Sequence, residues 1–180
     1  ERAQPVKMPS MWLWAALGGA ALIWAGNRWD NRFAPNARYK PGSQAAVDLF
    51  AAAAVTAGLP VEWAADPSLH TLLAKESKGW VGIPNYFYGW RKTDPKQWPL
   101  VWEELRRGEY TARNKNGGAQ TATGLGQLQT GDGNVDKYYP DKRAGIGDPM
   151  NEAIGMLRYI KDRYGNPAKA LAFHKVHNWY

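Results

Sequence analysis

The chain of 180 residues contains no cysteine and only four phenylalanines. Without cysteine, the protein has neither a disulfide framework nor a metal site built from thiolates. Its lysines and arginines are spread along the sequence and form no dense basic run of the kind that marks a nucleic-acid-binding arm. We therefore expect no specific nucleic-acid binding, although the net charge of +7 favours polyanionic partners in general.

The aromatic residues that are present are mostly Trp and Tyr, with ten and nine copies. Both side chains join a large apolar face to one polar group, which suits them to a core, a sugar-stacking surface or a membrane interface. Hydrophobic residues make up 44% of the chain and charged residues 22%. This balance predicts one compact domain with a real core, together with an arm or linker.

Residues 11–26 read MWLWAALGGAALIWAG and contain no charged side chain. As a helix this run would be roughly 24 Å long, which is shorter than the ~30 Å of a bilayer core. Trp12, Trp14, Trp24 and Trp29 lie toward its two ends, as in an aromatic belt. The pattern predicts a short apolar helix that contacts either a membrane or the protein partners of an assembly, and both interpretations stay open.

The sequence divides at about residue 42. Residues 1–42 contain the apolar segment and a polar stretch broken by Pro35 and Pro41, which is typical of a linker. Residues 43–180 show helical periodicity and are predicted to form the main domain. Because the first residue is Glu1, we expect the chain to be a processed product or a segment of a longer protein.

Helix signals recur through residues 43–180, with little evidence of strands. Loops are predicted at 79–97 and, as an exposed turn or short hairpin, at 114–123. The fold class is therefore mainly α. Caps, breakers and apolar periodicity predict helices over about 43–57, 67–77, 99–108, 148–164 and 167–177.

Glu76 is the main catalytic candidate. It lies at the carboxyl end of an apolar helix, where the helix dipole disfavours a negative charge. The apolar residues Leu72, Leu73 and Trp80 are close in sequence. Both features raise the pKa of a carboxyl group, as a general acid requires at neutral pH.

A glycine-rich turn follows in the stretch ATGLGQLQ, residues 122–129. Gly124 and Gly126 allow a backbone to approach a ligand closely, and Gln127 supplies a donor and an acceptor. His174 and His177 are three residues apart on the last predicted helix. With no cysteine and no third ligand at a fitting spacing, we predict neither a metal site nor a cofactor.

Three short motifs in order resemble those of the soluble lytic transglycosylase family, which is related to the goose-type lysozymes. They are Glu76-Ser77, the turn 124–127 and the stretch 170–173, which reads ALAF. The closing segment 164–180 also resembles that of transglycosylase-like domains in phage virion and tape-measure proteins. The resemblance covers about residues 43–180 and implies a helical, lysozyme-like fold.

The chain departs from the family pattern at two motifs. Gly126 replaces the methionine of the family's Gly-Leu-Met-Gln turn, and residues 173–176 read FHKV where the family has Tyr-Asn-Ala-Gly. The family's tyrosine and asparagine contacts are therefore not transferred to this chain. The loop over 79–121 is also long, which leaves the shape of the groove open.

The resemblance implies cleavage of the β-1,4 bond between N-acetylmuramic acid and N-acetylglucosamine in peptidoglycan. Glu76 would protonate the leaving oxygen and then act as a base toward the sugar's own C6 hydroxyl, giving a 1,6-anhydro end. We expect substrate contacts from five further residues: Ser77 and Gln127 as orienting groups, Gly124, His174, and Tyr86 as a sugar-subsite residue. Tyr88 and Trp90 are weaker aromatic candidates for the same subsites.

Other functions remain open at the level of sequence. A hydrolytic lysozyme needs a second carboxylate about 5 to 10 Å away, for which Asp132, Asp136, Asp141 and Asp148 are candidates. A catalytically silent structural or channel-forming component would depend on the apolar arm instead, and an arm-anchored envelope-remodelling enzyme is a further alternative. The leading expectation is a virion-associated enzyme that acts in the bacterial periplasm and cell wall during genome entry, with peptidoglycan strands as its partner.

Overall fold

The computed structural model of the protein describes Phe33 and residues 37–178. The predicted apolar helix over 11–26 lies outside the described residues, as do the last two residues of the chain. The described residues belong to one compact unit. Within this part of the chain, no helix has the length and apolar character needed to cross a bilayer.

The described part is mainly helical, as the sequence predicts, with one small antiparallel sheet. The sheet pairs β1 (Ala122–Thr123) with β2 (Leu128–Gln129) in a tight hairpin. The helices are α1 (Gln44–Ala57), α2 (Pro67–Glu76), α3 (Trp90–Thr93), α4 (Trp98–Arg107), α5 (Asn134–Tyr138), α6 (Pro149–Tyr164) and α7 (Pro167–His177).

Local capping explains why the long helices start and stop where the sequence predicts. The Ser43 hydroxyl accepts a hydrogen bond from the Ala46 N–H at 3.3 Å and begins α1. Gly58 ends it with a left-handed φ of 66°. Asp148 begins α6 by accepting from the Asn151 N–H at 2.7 Å. These caps involve neighbours in sequence, so they can be read without tertiary information.

The region 79–97 contains more structure than the predicted loop. It includes α3 and two short 3₁₀ turns, Tyr86–Tyr88 and Pro95–Gln97, whose first residues are capped by Asn85 and Asp94. Such short elements have too few residues to show apolar periodicity. The five-residue helix α5 escapes prediction for the same reason.

The core forms where two pairs of helices pack. Helix α1 lies against α6. Both helices contribute fully buried side chains to this core: Leu49 and Phe50 from α1, and Leu157 and Ile160 from α6. Helix α2 lies against α7, and α7 in turn contacts α6. The α2–α7 contact brings together residues that are about a hundred positions apart in the sequence.

The segment 79–85, which contains turns and isolated β-bridges, follows α2 and contacts the hairpin. On one side the Tyr39 N–H donates to the Gly79 carbonyl at 2.7 Å, and the Val81 N–H donates to the carbonyl of residue 37 at 3.1 Å. On the other side, Pro84 forms an antiparallel bridge with Thr123 of β1. Residues 37–42, expected to be part of a linker, thus belong to the folded unit.

Candidate active site

Glu76 is the last residue of α2 and lies at a cleft of about 410 Å³. Its side chain is 17% exposed. Leu72 and Leu73, one turn earlier, are completely buried beneath it. Among the described residues that line the cleft, Glu76 is the only carboxylate; the others include Lys75, Lys78, Lys92, Trp80, Trp98 and Ile83.

The protonation of Glu76 is shifted toward neutral pH. Burial raises the pKa of its carboxyl from 4.5 to about 7, and the positive charge of Lys75 opposes this rise. Desolvation is therefore the dominant cause, as expected from an apolar helix end. At neutral pH the carboxyl is present in both forms, so it is able to donate a proton and to take one back.

His174 is the group nearest to the carboxyl of Glu76. Its Nε2 atom lies 3.3 Å from the Glu76 Oε1 atom because α2 and α7 pack together. Burial, with a further contribution from the Lys75 charge, lowers the pKa of His174. The imidazole is therefore mainly neutral at pH 7, and the contact is not an ion pair of two full charges.

Ser77 supports the helix end and is among the residues that line the cleft. Its side chain is 99% buried, and its hydroxyl donates to the Leu73 carbonyl at 3.3 Å and accepts from the Gly79 N–H at 3.1 Å. Both hydrogen bonds are to backbone groups of the same turn. They hold the backbone that follows Glu76, and the contact of Ser77 with substrate stays a prediction.

Gln127 and Gly124 also act on the protein itself. The Gln127 amide donates to the carbonyls of Ile83 at 2.9 Å and Gly124 at 3.1 Å, and so fastens the hairpin turn to the wall of the cleft. Gly124 has a φ of 76°, and a Cβ atom there would lie 2.4 Å from the Glu152 carboxyl carbon. The close approach that requires glycine is therefore to Glu152.

Glu152 is a buried carboxylate that sequence reasoning did not select. It extends from α6 and accepts hydrogen bonds from the Gly82 N–H at 3.0 Å to both oxygens, the Gly147 N–H at 2.9 Å and the Leu125 N–H at 2.9 Å. Burial raises its pKa to about 7, and the three N–H donors oppose the rise. Because both oxygens face N–H groups, these contacts stabilise the ionised form.

Glu152 therefore ties three separate loops to one helix. One of them, at Gly82, is the segment that runs past the cleft. Glu152 is completely buried and does not line the cleft. Its role in the structure is to position the backbone around the site. A sequence signal did exist, since helical spacing puts Glu152 on the same face as Met156 and Tyr159, which are both buried.

The aromatic candidates differ in their surroundings. Tyr86 and Trp90 are 64% and 67% exposed, and both lie on the segment between the cleft residues Ile83 and Lys92. Tyr88 is buried in the core. The two aromatic residues that line the cleft, Trp80 and Trp98, were not predicted as binding residues; their rings meet edge to face at 5.7 Å.

The four aspartates considered for a second carboxylate do not line the cleft. Asp136 forms an ion pair with Arg143 at 2.9 Å. Asp148 caps α6, and Asp141 accepts from the Asn151 amide at 2.9 Å. Three of the four thus have structural partners within the loops that hold them.

His177 contacts Phe173, one turn earlier in α7. Its ring stacks on Phe173 with the ring centroids 3.9 Å apart, and its Nδ1 atom lies 3.0 Å from the Phe173 carbonyl oxygen. In the described ranges, no three His, Asp or Glu side chains are grouped as metal ligands would be.

Comparisons with protein-family models, with curated proteins and with solved structures found no match for this chain. A proposal of function therefore depends on the sequence motifs and on the geometry around Glu76.

Proposed function

We propose that residues 43–180 form a lysozyme-like domain that cleaves the β-1,4 bond between N-acetylmuramic acid and N-acetylglucosamine in peptidoglycan. The observation that carries the proposal is the state of Glu76. It is a carboxyl with a pKa of about 7, at the edge of an open cleft and 3.3 Å from a buried histidine. A general acid that must later act as a base needs such a pKa.

In the proposed reaction, the Glu76 carboxyl donates its proton to the glycosidic oxygen as the C1–O bond breaks. N-acetylglucosamine leaves with a free 4-hydroxyl. The Glu76 carboxylate then accepts the proton of the C6 hydroxyl of N-acetylmuramic acid while O6 forms a bond to C1. The product is a 1,6-anhydro sugar, Glu76 regains its proton, and no water is consumed.

The lining of the cleft supports this internal transfer over hydrolysis. Hydrolytic glycosidases generally use two carboxylates, separated by about 5 to 10 Å. Glu76 is the only carboxylate among the described residues that line the cleft, and Asp136, Asp141 and Asp148 have other partners. An internal hydroxyl nucleophile requires only the one carboxyl.

The aromatic surface supports a carbohydrate as the ligand. Trp80 and Trp98 form part of the cleft wall, and Tyr86 and Trp90 are exposed on the adjoining segment. Flat aromatic faces beside a polar cleft suit the apolar faces of sugar rings. We therefore include Tyr86 and Trp90 as candidates for outer sugar subsites.

The proposed setting is a virion-associated enzyme that opens the bacterial wall for genome entry. Its support comes from the resemblance of segment 164–180 to virion proteins and from the apolar segment 11–26 as a contact to a membrane or to assembly partners. This part of the proposal is independent of the chemistry at Glu76.

The direct test is the release of muropeptides from purified sacculi by the wild-type protein and by Glu76→Gln. We expect the substitution to reduce release at least about 100-fold, since general acid catalysis typically contributes that much or more. Glu62→Gln is the matched control, because Glu62 is an exposed glutamate outside the cleft. Its activity should equal that of the wild type.

Mass spectrometry of the products then separates the chemistries. Anhydro-muropeptides support the proposed transfer, whereas reducing ends indicate hydrolysis. Equal release by Glu76→Gln and the wild type would refute the catalytic role of Glu76. Binding to sacculi without any cleavage would favour a structural role instead.

A further inference from the structure

The cleft beside Glu76 carries an excess of positive charge. Lys75, Lys78 and Lys92 all line it, and Glu76 is the only acidic group among its described lining residues. The balance is thus +2 with Glu76 ionised and +3 with Glu76 protonated. The reaction proposed above requires none of these lysines, so their presence calls for a separate explanation.

Lys78 and Lys92 come from different parts of the chain, and the backbone of each is held by a hydrogen bond from another side chain. The backbone of Lys78 has a left-handed φ of 56°, and its carbonyl accepts a hydrogen bond from the Arg38 side chain at 3.1 Å. The carbonyl of Lys92 accepts from the Trp98 indole N–H at 3.0 Å. Trp98 in turn packs edge to face against Trp80, two residues after Lys78.

The two ammonium groups are near enough to repel each other. Burial lowers the pKa of Lys92, and the positive charge of Lys78 lowers it further. In the described part of the chain, none of the ion pairs includes Lys75, Lys78 or Lys92. Two cations that line one open cleft and take part in no ion pair there favour a ligand that brings its own negative charge.

We infer that Lys78 and Lys92 form a carboxylate-binding subsite beside Glu76. The identity of the ligand as a glycan rests on the proposed function. Two sources of a carboxylate exist on such a strand, the lactyl group of peptide-free N-acetylmuramic acid and the acidic groups of a stem peptide. A neutral polymer of N-acetylglucosamine has neither, so the subsite selects wall glycan over chitin-like glycan.

The test measures binding by isothermal titration calorimetry, on the full chain carrying Glu76→Gln so that no probe is cleaved. The three probes are a tetrasaccharide of alternating N-acetylglucosamine and N-acetylmuramic acid with free lactyl carboxylates, the same tetrasaccharide with stem peptides, and neutral chitotetraose. Lys78→Met and Lys92→Met remove each charge but keep an unbranched side chain. Lys169→Met, at an exposed position of α7 outside the cleft, is the matched control.

We expect the parent protein to bind at least one of the acidic probes about tenfold more tightly than chitotetraose, a ratio typical of a partly desolvated hydrogen-bonded charge. Each lysine-to-methionine change should remove most of this preference and leave the affinity for chitotetraose unchanged. Lys92→Arg, which keeps the charge, should retain the preference. Tight binding of the peptide-free probe indicates the lactyl group, and tight binding of the peptide-bearing probe alone indicates the stem peptide.

Equal affinity for acidic and neutral probes, or a preference that survives both methionine substitutions, overturns the subsite. The absence of binding to all three probes overturns it as well. These results are separate from the fate of the proposed reaction, which is decided by cleavage of sacculi by the protein with Glu76 intact. If the wild-type protein cleaves sacculi but its binding preference does not depend on the two lysines, only the proposed subsite is refuted and the proposed reaction stands.

Discussion

The Nε2 atom of His174 lies 3.3 Å from the Oε1 atom of Glu76 and joins α7 to the end of α2. The histidine is buried and mainly neutral, and the carboxyl has a pKa of about 7. A neutral imidazole beside the carboxyl does not suppress its protonation, whereas a cation in the same place would keep it ionised. This relationship leads to a different role for His174 from the substrate contact that the sequence predicted.

His174 should act as a positioning residue for Glu76. Replacement by leucine removes the polar partner, and we expect kcat to fall about tenfold or more with little change in KM. His174→Gln places an amide nitrogen near the position of Nε2 and should retain most of the wild-type kcat. Steady-state kinetics on a soluble muropeptide-bearing glycan measures both values. A rise in KM at constant kcat would instead support the substrate contact.

Glu76→Gln should make the protein more stable at alkaline pH. The folded-state pKa of about 7 lies above the ordinary 4.5, so the folded protein retains a proton that the unfolded chain has lost. The resulting stability is complete below about pH 4.5 and is lost as the pH rises through 7. At pH 8 the loss is about 3 kcal/mol, and glutamine avoids it. Chemical denaturation at pH 5 and pH 8 measures the difference.

The expected result of that experiment is a free energy of unfolding that falls more steeply with pH in the wild type than in Glu76→Gln. Glu62→Gln, an exposed position, should follow the wild type. Parallel curves for the wild type and Glu76→Gln would show that the pKa of Glu76 is not raised. The measurement needs no substrate, so it tests the environment of Glu76 independently of any activity.

Lys75→Met should move the pH dependence of activity to higher pH. The Lys75 ammonium opposes the rise in the pKa of Glu76, so its removal lets the pKa of that carboxyl rise further. If protonated Glu76 is the acid, kcat/KM falls as the pH rises through its pKa, and this falling limb moves upward in the variant. A pH profile from 5 to 9 measures it, with Lys169→Met as the control. A falling limb at the same pH in Lys75→Met and the wild type would mean that the limb reports the titration of a group other than Glu76.

Glu152→Ala should destabilise the fold by at least about 3 kcal/mol. The substitution leaves the N–H groups of Gly82, Leu125 and Gly147 buried without their acceptor, and each such loss typically costs 1 kcal/mol or more. Urea denaturation measures the change. Glu62→Ala should remain within about 0.5 kcal/mol of the wild type, as surface substitutions usually do. A small effect of Glu152→Ala would mean that water replaces the carboxylate.

Prediction from sequence succeeded where the deciding interactions are local. The helix start at Ser43, the stop at Gly58 and the position of Glu76 at the end of α2 follow from caps, breakers and periodicity. For Gly124 and Gln127, the sequence predicted contacts with a ligand, which stay a prediction, and the structure shows contacts with Glu152 and Ile83. A motif identifies a constrained backbone without showing what constrains it.

The sequence by itself thus determined the mainly α architecture, the ends of the main helices and the position of Glu76 at a helix end, because these depend on neighbours within a few residues. Only the tertiary structure decided that His174 faces Glu76, that Lys78 and Lys92 share one cleft, and that Glu152 fastens the loops. Glu76 and His174 are 98 positions apart, Lys78 and Lys92 are 14 apart, and Glu152 is 70 positions from Gly82. Their proximity results from the packing of α2 on α7 and from the hydrogen bonds of the 79–85 segment, which no local pattern encodes.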